Sequence, residues 1–103
     1  MLTFLLMTLA CSGGKDSGSA RVDDVLALTG DATAGETVYA DNCASCHAAD
    51  ASGDIGPTLQ GLDDPDEDLV NWILFGKESG MPGFDGTIDD QGIADVLAYL
   101  HTI

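Results

Sequence analysis

Cys43-Ala44-Ser45-Cys46-His47 is the stretch that decides how this chain is read. It has the form C-x-x-C-H, the pattern for covalent attachment of a c-type haem. The spacing has a physical reason. Two thiols three residues apart on a tight helical turn can reach the two vinyl groups along one edge of a porphyrin. His47 follows directly and falls under the ring, where an imidazole nitrogen can meet the iron. Five residues can match by chance, so the rest of the chain has to support the reading.

Working outward, a low-spin electron-transfer haem needs a ligand opposite His47, and methionine in that role raises the reduction potential. Met1 and Met7 fall in an apolar N-terminal run, which leaves Met81. It stands in Ser79-Gly80-Met81-Pro82-Gly83, a segment read as a loop. Gly80, Pro82 and Gly83 would let the backbone turn and aim the sulfur inward. The competing reading is a methionine that merely fills a gap.

Caps and periodicity predict three main helices and an all-α domain. The first starts at Thr33, with Glu36 completing a capping box, and runs through Val38 and Tyr39 toward Cys43. The second starts at Asp64-Pro65 and stops at Gly76, with Leu69, Val70, Ile73 and Leu74 on its apolar face. The third starts at Thr87, and Ile93, Val96, Leu97 and Leu100 follow helical spacing. Residues 48–63 carry Gly53, Gly56, Pro57 and Gly61 and read as loop. Nothing alternates with a period of two over a useful length.

With these residues in place, the chain from about Thr33 to Ile103 resembles a class I cytochrome c. It is most similar to the short bacterial monohaem type, which also occurs as a domain of haem–copper oxidase subunits. The matching text is AGETVYADNCASCH, IGPTLQGL, GKESGMPGF and IADVLAYL, in that order. The resemblance implies a small cytochrome c fold, three main helices wrapped around one covalently bound haem. It implies that Cys43 and Cys46 carry the haem and that His47 and Met81 ligate its iron. It implies that Pro57 offers its carbonyl to the ligand histidine, which would fix the ring and raise its basicity; otherwise Pro57 is a loop proline. Gly35 and Tyr39 match the first-helix pair of the family, and Val96 and Tyr99 match the pair on the last helix that crosses it. Trp72 and Phe75 are expected to pack near the haem. His101 is expected to face solvent.

The N-terminal part carries no such chemistry. Residues 1–10, MLTFLLMTLA, precede Cys11 and look like a lipoprotein-type signal, with Leu9-Ala10-Cys11 as the processing site and Cys11 as the lipid attachment point. Thr8 and the lack of a basic n-region depart from that pattern. The run is too short to span a bilayer, which takes about 20 apolar residues. Residues 11–31 read as a flexible tether, although Val22 to Leu28 has some helical character and could be a short docked segment. Residues 32–103 form the haem domain. Export to the periplasmic side, with a lipid anchor to the membrane, is the expected localisation. The odd cysteine count, three, is then accounted for.

Charge limits the partners. The 103 residues hold 18 acidic and 3 basic side chains, a net charge of −15. Phosphate binding needs clustered Lys and Arg, so nucleic acid is excluded. There is no lysine ring for an acidic oxidase surface, and Asp63, Asp64, Asp66, Glu67 and Asp68 cluster instead. A redox protein with a basic docking patch fits, and so does plain acidity for solubility. The leading function is a one-electron carrier rather than an enzyme, acting as a free monomer or as a small subunit of a redox complex. Three alternatives stand beside it. Dissociation of Met81 would open the iron to substrate or gas. Cys43 and Cys46 could serve thiol exchange, which would want a βαβ setting that is missing. The same motif could hold zinc, but a second ligand cluster is missing.

Overall fold

The computed structural model describes residues 17–103. The apolar N-terminal run, Cys11 and Lys15 lie outside the described residues. Five helices follow one another: α1 Ser17–Leu26, α2 Ala32–Asn42, α3 Ala44–His47, α4 Asp66–Phe75 and α5 Asp90–Leu100. Among the described residues there is no strand beyond one isolated bridge between Asp85 and Ile88. The all-α expectation holds.

The frame is the crossing of α2 and α5, the most extensive helix contact in the molecule. Gly35 makes it possible: a Cβ there would collide with the Asp95 carbonyl. Tyr39, one turn on, is 1 % exposed and packs against Tyr99 with ring centroids 5.4 Å apart. The sequence places Gly35, Tyr39, Val96 and Tyr99 on facing sides of two helices, and the two helices meet there. A second tie is polar. Buried Asp95 accepts the Asp31 backbone N–H at 2.8 Å and the Gln91 side-chain amide at 2.9 Å. A buried carboxylate with these donors is satisfied rather than a liability.

Each helix starts at a residue the sequence reading did not choose. α2 is capped by Asp31, whose carboxylate accepts from Thr33 N–H and Ala34 N–H. The Thr33 capping box is therefore not used: α2 already begins at Ala32, and Asp31 has taken the Thr33 N–H that Glu36 would have bonded. α4 starts at Asp66, with Pro65 in the cap position and no side-chain cap. Asp66, Glu67 and Asp68 fill its first turn, where the helix dipole favours negative charge. α5 is capped by Asp89, which accepts from Gly92 N–H at 2.8 Å, while Thr87 and Ile88 form a turn on Phe84. Gly76 ends α4 as expected, at φ 83°.

The larger correction is α1. The stretch expected as tether is helical from Ser17, and it packs on α4 and α5. Val22 and Val25 are buried in the cluster that holds Leu69, Val70, Ile73, Leu74 and Ile88. A fully buried valine contributes about 1.5–2 kcal/mol, which is enough to dock a short helix that would not persist alone. Arg21, also assigned to the tether, bonds Asp85 at 2.6 Å and Asp90 at 2.9 Å.

Candidate haem site

The site is built from the C-x-x-C-H turn. Cys43 follows the last residue of α2, and α3 is the single turn that carries Cys46 and His47. Backbone bonds from Cys46 N–H and His47 N–H to the Cys43 carbonyl close it, at 3.2 and 3.0 Å. Cys43 is buried and Cys46 half-buried, and both are free. As a free thiol Cys43 is pushed up to about 11, chiefly by burial and secondarily by Cys46.

His47 is buried at 7 % exposure and is held on three sides. Its Nδ1 lies 2.7 Å from the Pro57 carbonyl oxygen. A carbonyl only accepts, so Nδ1 carries the proton and Nε2 keeps its lone pair. Gly56 lies flat on the ring: a Cβ there would stand 2.7 Å from Cε1 and 2.9 Å from Nδ1. The loop that carries Gly56 and Pro57 is sewn to the α3 turn by Gly56 N–H to the Cys46 carbonyl, 2.6 Å, and Gly53 N–H to the His47 carbonyl, 2.9 Å. Tyr39 reaches across with its hydroxyl on the Ala48 carbonyl at 2.6 Å. Gly56 was not singled out as a site residue, because Gly-Pro reads as loop punctuation; only the packing reveals the contact.

His47 opens into a narrow, almost wholly apolar cleft. One wall is Tyr39, Cys43 and His47; the floor is Leu59 and Leu62; α4 supplies Leu69, Trp72 and Ile73; α5 supplies Val96 and Leu100. Met81 completes the lining, so the cleft brings His47 and Met81 together. Trp72 is there as expected, with Lys77 Nζ 3.9 Å from the centre of its ring. Phe75 is not: it is 44 % exposed and outside the lining. The helical period explains this. Leu69, Trp72 and Ile73 share a face, and Phe75 is rotated well away from it. His101 is exposed and bonds Asp66 through Nε2 at 2.9 Å.

Met81 comes from a loop that folds back on the end of α4. Lys77 N–H bonds the Met81 carbonyl at 3.0 Å, and Phe84 N–H and Asp85 N–H bond the Ile73 and Leu74 carbonyls at 2.8 and 3.0 Å. Two glycines allow the approach. A Cβ on Gly76 would collide with the Met81 carbonyl, and one on Gly83 would stand 2.7 Å from the Leu74 carbonyl. Gly76, read only as a helix stop, is thus also the residue that lets the methionine loop close.

The donor set fits a haem. It offers two cysteines on one turn, an imidazole with its outer nitrogen free, a thioether on the same cleft, and walls that are otherwise almost wholly apolar. Among the described residues no three His, Cys, Asp or Glu side chains converge as a bare metal ion would require.

Comparison with known proteins agrees. The family model described as "Cytochrome C oxidase, cbb3-type, subunit III" matches residues 30–100. A cytochrome c-553-like protein of Synechocystis sp. is 38% identical over 84 residues, covering 80% of this chain and 78% of the relative. The cbb3-type oxidase subunit CcoP of an Azospirillum species is 29% identical over 86% of this chain, but this chain spans only 36% of that subunit. The solved structure of cytochrome c6 from the diatom Phaeodactylum tricornutum superposes with a TM-score of 0.62 at 35% identity, covering 71% of this chain and 93% of the diatom protein. The chain belongs to the cbb3-type subunit III cytochrome c family: it is a small class I cytochrome c with one covalently held c-type haem.

Proposed function

We propose that this cytochrome carries single electrons with His47 and Met81 as the axial ligands of its haem iron and Cys43 and Cys46 as the covalent anchors. When bound, the haem supplies a one-electron Fe(III)/Fe(II) couple. The chain's own residues do the rest. Pro57 holds the proton of Nδ1, so Nε2 always faces the cleft as a base. Gly56 and the α3 turn stop the imidazole from rotating. Leu59, Leu62, Leu69, Ile73, Val96 and Leu100 exclude water, which keeps the solvent rearrangement on electron transfer small. The single observation that carries the reading is that His47, with Nε2 free, and Met81 line one apolar cleft.

Electron transport is the activity of this family, and the chain is the carrier rather than the catalyst. Its relatives include subunits of oxidase complexes as well as small cytochromes. Burial raises the Cys43 thiol, which disfavours exchange chemistry at that residue, since only a thiolate attacks. Among the described residues no helix is long and apolar enough to cross a membrane. A lipid on Cys11 would supply the attachment, on the periplasmic side. The partner would present a basic patch to the acidic cluster at residues 63–68, and its association rate would fall with added salt. A rate indifferent to salt rejects that docking mode.

The ligation is tested by optical spectra of the protein made with a haem-attachment apparatus. Sharp low-spin bands on reduction, with the weak methionine-to-iron charge-transfer band on oxidation, are expected. Haem bands without the methionine band would remove Met81 from the axis.

A further inference from the structure

We propose that α1 is a strap that holds the methionine loop closed, with Arg21 as the positioning residue that fastens it. The proposal rests on the reading of Met81 as an axial ligand.

The loop from Gly76 to Asp85 has few supports of its own. A Cβ on Gly80 would meet nothing within 4 Å, and Met81 is only half-buried. Its return end is where α1 takes hold. Arg21 Nη1 bonds Asp85 at 2.6 Å, and Nη2 bonds Asp90 on the first turn of α5 at 2.9 Å. Asp85 is four residues past Met81, and its backbone N–H is already on the Leu74 carbonyl. One guanidinium therefore pins the loop exit to the start of α5 and to α1 at once. A planar fork with two separate carboxylates is a geometry lysine cannot copy.

α1 is seated by Val22 and Val25, in the same buried cluster as Val70, Leu74 and Ile88, which lie before and after the loop. The strap is thus joined to both ends of the segment that carries Met81. α1 lies before the span that the family model matches, residues 30–100. Met81 can leave the cleft only if its loop swings outward, and the strap opposes that swing. The Arg21 pairs are partly exposed, so salt screens them and loosens the strap.

The test is imidazole binding to the oxidised full-length holoprotein, followed by loss of the methionine charge-transfer band. Arg21→Gln should raise the apparent imidazole affinity about fivefold at low salt, the worth of two exposed ion pairs. Arg21→Lys should recover only part of the wild-type value. Val25→Ala, which loosens α1 from its apolar side with the ion pairs intact, should act in the same direction. Added salt should raise imidazole affinity in wild type and have little further effect in Arg21→Gln. Unchanged imidazole affinity in Arg21→Gln and Val25→Ala overturns the proposal, even if their melting temperatures fall, because a merely structural helix would lower stability without touching the ligand. A wild-type protein with no methionine band would instead overturn the ligation beneath it.

Discussion

His47 sits in a stretch where residues 43–59 are bonded to one another at nearly every step, while Met81 hangs on a loop whose backbone is closed by two hydrogen bonds of its own. On the histidine side, the imidazole is fixed by Pro57, the turn by Gly53 and Gly56, and the surrounding loop by Leu59 N–H on the Ala51 carbonyl at 2.8 Å. That bracing is strong enough to keep Ala48 and Ala51 at φ 73° and 63°, a region that costs alanine about 1 kcal/mol or more. On the methionine side the supports are the adjoining end of α4 and the distant Arg21 clamp. The lesson is that the two ligands differ in kind. One is held wholly by bonds within its own stretch of chain, and the other depends also on a clamp between residues 64 apart in sequence.

Substitutions can break or sharpen this contrast. The largest effect is expected from His47→Ala, which should leave little correctly attached haem, whereas Met81→Ala should keep covalent haem while losing the methionine band and, without a sixth ligand, the low-spin spectrum. Equal damage from both, read in the optical spectra, would end the asymmetry. Next comes Gly56→Val, whose side chain would be driven into the imidazole ring. We expect a loss of about 3 kcal/mol in denaturant unfolding, the upper range for overpacking. Gly76 and Gly80 separate packing from strain within the methionine loop. Both have positive φ, but only Gly76 faces a backbone collision. Gly76→Ala should cost about 2–3 kcal/mol and weaken the methionine band, while Gly80→Ala should cost about 1 kcal/mol and leave the band alone. Similar losses at both positions would mean that the loop is not pressed against α4.

The smallest effect is at high pH. Burial, with lesser pushes from Cys43 and Tyr99, raises the Tyr39 hydroxyl to about 12. The unfolded chain releases that proton near the ordinary value of about 10, so it binds fewer protons than the native state between these limits. Stability should therefore fall as pH rises from about 10 to 12. Tyr39→Phe should lose the hydrogen bond to Ala48 at every pH and lack that alkaline decline, as followed by unfolding midpoints across the window. An undiminished decline would place its origin elsewhere.

What the sequence made legible was the chemistry and the central crossing. C-x-x-C-H announces itself by spacing, and Met81 stood out because no other methionine remains outside the apolar run. Gly35 and Tyr39 were findable because they match the first-helix glycine and aromatic of the family the chain resembles. The start of α2 was misplaced because Asp31 and Thr33 are both good caps two residues apart, and the choice is made by Asp95, which draws the Asp31 N–H from 64 residues away. α1 was only partly legible, its second half showing helical character, for a similar reason. Its small polar first half looks like linker, and its two buried valines are too few to announce an amphipathic helix. What docks it is the Val70, Leu74 and Ile88 cluster that receives its valines, with Asp85 and Asp90 fastening Arg21, all of them distant in sequence and invisible to local reading. Gly56 and Gly76 carry no mark of their role, since a turn glycine and a glycine pressed against a ligand's neighbourhood are written alike.

The crossing at Gly35 also bears on how the chain comes to fold. α2 and α5 are the outermost helices of the haem-binding unit, with roughly 50 residues between them. Their meeting is a long-range event whose closure entropy must be met before any contact returns it, so the barrier is set by the ends finding each other. The α3 turn and its loop are local and can form early without helping that search. Side chains at the α2–α5 contact then govern the speed of folding, and those of the methionine loop, which close last, govern how long the native state survives.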